Sequence, residues 1–238
     1  MRYLLIVFLC GLLLTALNAE QFEVDIKYLG IPAVRVKIVH SDSTISIKAK
    51  SSKFASIASK MDNSYDIHYG DLHLPKTYRK KIEQRDYQED RLTTYYRTLR
   101  EAERINFADS TSCSYKINPL SRDFFSSLFY LRQNLNEEDK QIFLDANGII
   151  WSATFSKLGE EKIRTFMGKV NTHKYLIQCT KLSEAEQPES DMLTNNLVNE
   201  DVPLLFWFTA DERKLPVKAK FMMKPFSVVW KLKDYKDR

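Results

Sequence analysis

Cysteine is nearly missing from this chain: Cys10, Cys113 and Cys179 are the three among 238 residues, and no two share a C-x-x-C spacing. That leaves no basis for a redox motif or a cysteine zinc site. Glycine is scarce too, with six residues and no phosphate-cradling run. No Gly-x-Ser-x-Gly elbow surrounds a serine, so Ser121, Ser126 and Ser127 carry no nucleophile signature, and nucleotide chemistry has no local support. His68 and His73 stand five apart with Asp71 between them, a spacing that matches no standard zinc site and reads as surface histidine. No Asn-x-Ser/Thr acceptor occurs, which fits a bacterial envelope at least as well as a eukaryotic secretory route. A strong charge of one sign is also lacking. The formal net charge of +5 is too mild an excess to specify nucleic acid. No catalytic residue, metal site or cofactor is expected.

What is present begins with an address. Residues 1–19 run from a basic Arg2 through apolar Leu4 to Leu14 to Ala16-Leu17-Asn18-Ala19, the layout of a cleaved secretory signal peptide with an apolar run too short for a good membrane span. Cys10 lies inside that run behind Phe8-Leu9, which argues against a lipid anchor. Residues 20–238 are expected to form a single β-rich domain of an exported, soluble protein. In an oxidising compartment Cys113 and Cys179 could pair, closing a loop worth roughly 4 kcal/mol in chain-entropy terms; two separate buried thiols are the alternative.

Period-two patterning dominates. Phe22, Val24, Ile26 and Tyr28 alternate with Gln21, Glu23, Asp25 and Lys27; Val34, Val36, Ile38, then Ile45, Ile47, Ala49, then Tyr65, Ile67, Tyr69 continue a meander. Phe54, Ile57, Ala58 and Met61 change period and fit a short helix or a bent strand. The tract Lys76 to Arg104 reads as strands with one solvated, ion-paired face. Asn147-Gly148 predicts a tight hairpin turn with Trp151, Ala153 and Phe155 on the inner face, and Gly159 and Gly168 suggest a further reversal. Residues 182–202 hold six acidic side chains and no Lys or Arg, which predicts a mobile acidic loop or a lid.

One long helix interrupts the strands, over 118–132. Asn118 is a fitting N-cap, Pro119 a fitting first helical residue, and Leu120, Phe124, Leu128 and Leu131, widened by Phe125 and Phe129, make an apolar stripe. Arg122, Asp123, Ser126 and Ser127 would face away from it, and Arg132 would sit beside the C-terminal carbonyls. Late in the chain, Asp211 and Arg213 are expected to bond each other or the turn backbone ahead of the strand near Pro216.

Four patterns carry a family likeness: Tyr28-Leu-Gly-Ile-Pro-Ala33, the helix from Asn118-Pro-Leu-Ser to Tyr130-Leu-Arg132, Lys162-Ile-Arg-Thr-Phe-Met-Gly168, and Phe206-Trp-Phe-Thr-Ala-Asp-Glu-Arg-Lys-Leu-Pro-Val217 followed by Phe226 to Leu232. In their order and spacing the chain resembles an exported bacterial group, domain-of-unknown-function family 3108. It departs at Val34, where a glycine is usual, and in an expanded acidic stretch before Pro203. The resemblance implies a periplasmic protein of a Gram-negative envelope and a mainly β fold, a curved antiparallel sheet or incomplete β-barrel wrapped around one central helix. It implies no activity. By architectural analogy with carriers that shuttle lipoproteins across the periplasm, the leading expectation is a non-catalytic protein binding a lipid or other apolar ligand, an acyl chain or a hydrophobic peptide segment, with Phe125, Phe129, Trp151, Phe155, Phe206, Phe208 and Trp230 lining the pocket. The alternative is an interaction module that presents sheet edges or the Lys76 to Arg104 surface to an envelope protein or a polysaccharide.

Overall fold

Alternating side chains build strands, and the order in which those strands pair decides where the helix goes. The structure, a computed structural model, describes residues 19–53, 55–57, 60–85, 87–135, 140–223 and 226–237. Of the signal peptide expected at 1–19, residues 1–18 lie outside them, as do Phe54 and Ala58 of the period-changing stretch. The first meander comprises β1 (Glu20–Tyr28), β2 (Ile31–His40), β3 (Thr44–Ser51), β4 (Asp62–Tyr69), β5 (Pro75–Gln84), β6 (Tyr87–Tyr96), β7 (Glu101–Asn106) and β8 (Thr111–Lys116). After helix α1 (Phe124–Gln133) come β9 (Lys140–Ala146), β10 (Ile149–Thr165), β11 (Gly168–Lys181), the single turn α2 (Met192–Asn195), β12 (Leu204–Thr209), β13 (Pro216–Met223) and β14 (Phe226–Lys236).

The fourteen strands of the described residues form one antiparallel sheet in which each pairs with its sequence neighbours, β8 and β9 excepted, and β1 pairs with β14. The chain's two ends therefore meet at the sheet's middle, and β8 and β9 are its edges. The segment joining those edges has to cross the curved interior, which is why α1 is central. The edges do not close into a barrel ladder. They are tied by an isolated bridge, in which the Arg122 N–H donates to Phe143 O (3.0 Å) and the Asp145 N–H to Arg122 O (2.8 Å), and by the Tyr115 hydroxyl, which donates to Asp145 at 2.7 Å. The tight turn between β9 and β10 forms at Asn147 and Gly148, with φ of 59° and 81°, the two positive angles of a type I′ hairpin.

That crossing corrects the helix boundary. Asn118 and Pro119 start only a turn: the Asn118 side chain accepts from Leu120 N–H, and Arg122 is extended in its bridge to β9. The helix begins at Phe124, capped by Asp123, whose carboxylate accepts from Phe125 N–H and Ser126 N–H. The supposed outer face is also corrected. Arg122, Asp123, Ser126 and Ser127 are buried, whereas Leu120 is exposed. A helix enclosed by a sheet has no solvent side. Its serines satisfy themselves locally, Ser126 donating to Asp123 and Ser127 to Phe124 O, so their burial leaves no orphaned hydroxyl.

Three further expectations change. The tract from Lys76 to Arg104 does carry ion pairs on its outer face, including a two-pronged Arg79–Asp90 contact at 3.0 Å, but Lys80, Glu89 and Arg91 point inward and are buried. The 182–202 stretch is anchored: Asp191, Leu193, Leu197 and Val198 are buried in it. Cys113 and Cys179 are both free. Cys113 is exposed on edge strand β8, while Cys179 is buried in β11, so they stand as one surface and one core thiol, and the crosslink is absent.

Candidate functional site

Curvature leaves interior space beside α1. One narrow cleft, of about 40 Å³, is lined by Phe22, Phe125, Phe129, Phe206, Ala219 and Trp230. A second and roomier one, of about 360 Å³, lies toward the Tyr28 end of β1 and is lined by Ile26, Met61, Met192, Leu193, Phe221 and Trp230. Trp230 therefore stands between them. It is buried, and its indole N–H has no hydrogen-bond partner among the described residues. The candidate lining residues thus divide into two groups. Phe125, Phe129, Phe206 and Trp230 border the first cleft. Trp151, Phe155 and Phe208 are buried in the same core cluster but border neither cleft, so they serve as packing.

The second cleft is capped by α2 through a buried polar cluster that sequence reasoning missed. Asp191 caps α2 and takes the Lys80 ammonium at 2.7 Å, with the Tyr65 hydroxyl donating to it at 2.6 Å. Lys80 also donates to Asn147 (3.1 Å), Ser190 (2.9 Å) and Thr194 (3.2 Å), and Glu89 lies 3.7 Å away. Arg91 pairs with Glu89 at 2.8 Å and donates to Asn147 at 2.8 Å. Burial alone would raise the Asp191 carboxyl, but the facing Lys80 charge and bonds hold it down at about 2. Burial pulls Lys80 below the ordinary lysine range, against the pull of Asp191 and Glu89. The signal lay in the alternation: Lys80 falls between inward Tyr78 and Ile82, and Arg91 between Glu89 and Thr93. A charge at an inward position needs a buried partner, and that partner was 111 residues away in a stretch read as loop.

At the other end a polar mouth borders the first cleft, with Phe129 and Arg132 common to both. Arg132 does not cap its own helix. It forks onto Glu20 of β1 at 2.5 and 2.8 Å and donates through Nε to Arg213 O at 2.7 Å. Glu20 also receives the Tyr235 hydroxyl (2.7 Å) and His40 Nδ1 (3.1 Å). Burial raises its carboxyl, but the bonds from His40, Arg132 and Tyr235 outweigh that and hold it well below the carboxylate range. His40 stacks on Phe129 with ring centres 4.0 Å apart, and His73 stacks on Tyr69 at 4.6 Å. His73 is buried while His68 is exposed on β4, so the two histidines five apart are not brought together. Burial first, then His40 and Arg122, push His73 down to about 4. Among the described residues no group of three His, Cys, Asp or Glu is placed to hold a metal, and no helix is long and apolar enough to cross a membrane.

Asp211 and Arg213 lie at this end too. Arg213 donates to Asp211 at 2.6 and 2.9 Å, and the Thr209 hydroxyl also donates to Asp211. Pro216 opens β13, opposite Phe208 at a bulge. Gly168 takes a φ of 94° where β11 begins.

The family profile described as protein of unknown function (DUF3108) matches residues 21–229. No curated protein matches this sequence. Among solved structures the chain is similar to a β-barrel-like protein of domain of unknown function DUF1849 from Brucella abortus, with a TM-score of 0.58, 9% identity, and 93% of this chain and 98% of that one covered. A protein of Parabacteroides distasonis provisionally described as a lipoprotein aligns with a TM-score of 0.33 and 11% identity over 92% of this chain and 95% of that one. A DUF1329 family protein from Desulfovibrio piger aligns at 0.22 and 9% over 99% and 91%. The first supports the β-barrel-like fold; the other two are too distant to add to it.

Proposed function

This chain belongs to the DUF3108 family, whose description names no activity, and we propose that it is a non-catalytic binding protein of the bacterial envelope that holds an acyl-type apolar ligand inside its curved sheet. The observation that carries this reading is the pair of apolar clefts meeting at Trp230. About ten methylenes moved from water into such a lining would gain on the order of 8 kcal/mol before the costs of ordering the ligand. A ligand oxygen near Trp230 would also supply the acceptor that the indole N–H lacks. The apolar run Leu4 to Leu14 behind Arg2 supports export, and the position of Cys10 within that run supports a protein without a lipid anchor.

Native mass spectrometry of protein purified from its own cell envelope, followed by titration of delipidated protein with palmitate and lysophosphatidylethanolamine, tests the proposal. A bound mass, a saturable titration, and loss of both in Ala33→Phe, which obstructs the roomier second cleft, are expected. Ligand-free protein that takes up neither probe would overturn it.

A further inference from the structure

Strand β10 is much longer than its neighbour β9, which pairs only with Ile149 to Phe155. On the other side β12 pairs with β11 only from Thr172 to Ile177. The remaining β10–β11 ribbon, Lys162 to Asn171, reaches beyond the last ladder pair of β12, on the order of 10 Å at about 3.4 Å per residue. Its turn is held by Thr165, whose hydroxyl accepts from Met167 N–H at 3.1 Å and donates to Gly168 O at 3.2 Å. Gly168 supplies the positive φ. The turn therefore makes no demand for an aromatic side chain, yet its tip is Phe166-Met167, and Phe166 is 44% exposed.

Ile163 and Met167 brace the ribbon against the core. The opposite face carries Lys162, Arg164 and Lys169, all exposed. Arg164 sits directly across from Lys169 in the ladder, a like-charge pairing that opposes the hairpin. Among the described residues none of these three cations makes an ion pair. An exposed aromatic tip backed by unneutralised cations on one face has the chemistry of an interfacial membrane contact.

We propose that this hairpin docks the protein on an anionic phospholipid surface, with Phe166 entering the headgroup region and Lys162, Arg164 and Lys169 facing the phosphates. This goes beyond ligand binding in the interior and does not depend on it, because vesicle binding is read on ligand-free protein. The test is co-sedimentation of the full chain with vesicles of phosphatidylglycerol and phosphatidylethanolamine, against phosphatidylcholine alone, at low and physiological salt. Binding to the anionic vesicles only is expected. Arg164→Glu with Lys169→Glu should weaken it by at least 25-fold, about fivefold for each cation lost, and Phe166→Ser by about tenfold. Lys231→Glu with Lys233→Glu, two exposed cations on β14, should leave it within about twofold. Unfolding midpoints verify that each variant is folded. No binding to anionic vesicles, or equal losses in the β14 control, overturns the proposal. So does binding that survives Phe166→Ser and extends equally to a soluble polyanion.

Discussion

Removing the Asp191 carboxylate should release the cap over the second cleft. Asp191→Ala leaves the fully buried Lys80 ammonium with Glu89 at 3.7 Å as its remaining anion, strips the Tyr65 hydroxyl of its acceptor and uncaps α2. Deleting one partner of a buried pair costs about 3–5 kcal/mol, and the lost cap, about 1 kcal/mol alone, is part of the same cluster and does not add in full. Against a total stability of roughly 5–15 kcal/mol the chain can lower that cost by letting 182–203 detach, so that water reaches Lys80. The expected outcome is faster proteolytic cleavage within 182–203 and an unfolding free energy in urea lowered by up to about 3–5 kcal/mol. Lys80→Met should behave similarly. The double variant Asp191→Leu with Lys80→Met should recover much of the loss, because no buried charge is left unpaired. Two single variants each within 1 kcal/mol of the parent, with unchanged cleavage, would refute the claim that this pair holds the cap.

Three other outcomes follow from the same contacts. Glu20→Gln removes the charge that Arg132, His40 and Tyr235 all face; unfolding in urea should show a loss of about 1.5–3 kcal/mol. His73 is held neutral down to about pH 4 against an ordinary value of 6.5, so the unfolded chain binds its proton first and stability should fall as pH drops from about 6.5 to 4. In His73→Phe, thermal scans across that window should show a shallower slope. Thiol labelling with peptide mapping should modify Cys113 in the folded protein and Cys179 only in denaturant, since burial pushes Cys179 up to about 11; a Cys113–Cys179 peptide would contradict the fold.

Most strands could be read from single segments because each records its own period. Phe22, Val24 and Ile26 are buried as their alternation requires, and Asn147-Gly148 makes its turn from local backbone preference. The helix boundary could not be read in this way. Asn118-Pro119 and Asp123 are competing start signals, and what chose between them was the backbone of β9, which takes Arg122 into a bridge. Polar residues misled for the same reason. Ser126, Ser127 and Lys80 look solvent-facing by type, but an enclosed helix and an inward strand position allow them no water.

The amino-acid order by itself determined that this is a mainly β chain with a phenylalanine-rich helix and a hairpin at Asn147-Gly148, because those features arise among residues a few positions apart. Only the tertiary structure decided that β1 pairs with β14, that Lys80 finds Asp191, that Arg132 finds Glu20, and that two clefts flank Trp230. Each of these joins residues distant in the chain, and local propensities carry no term for such contacts.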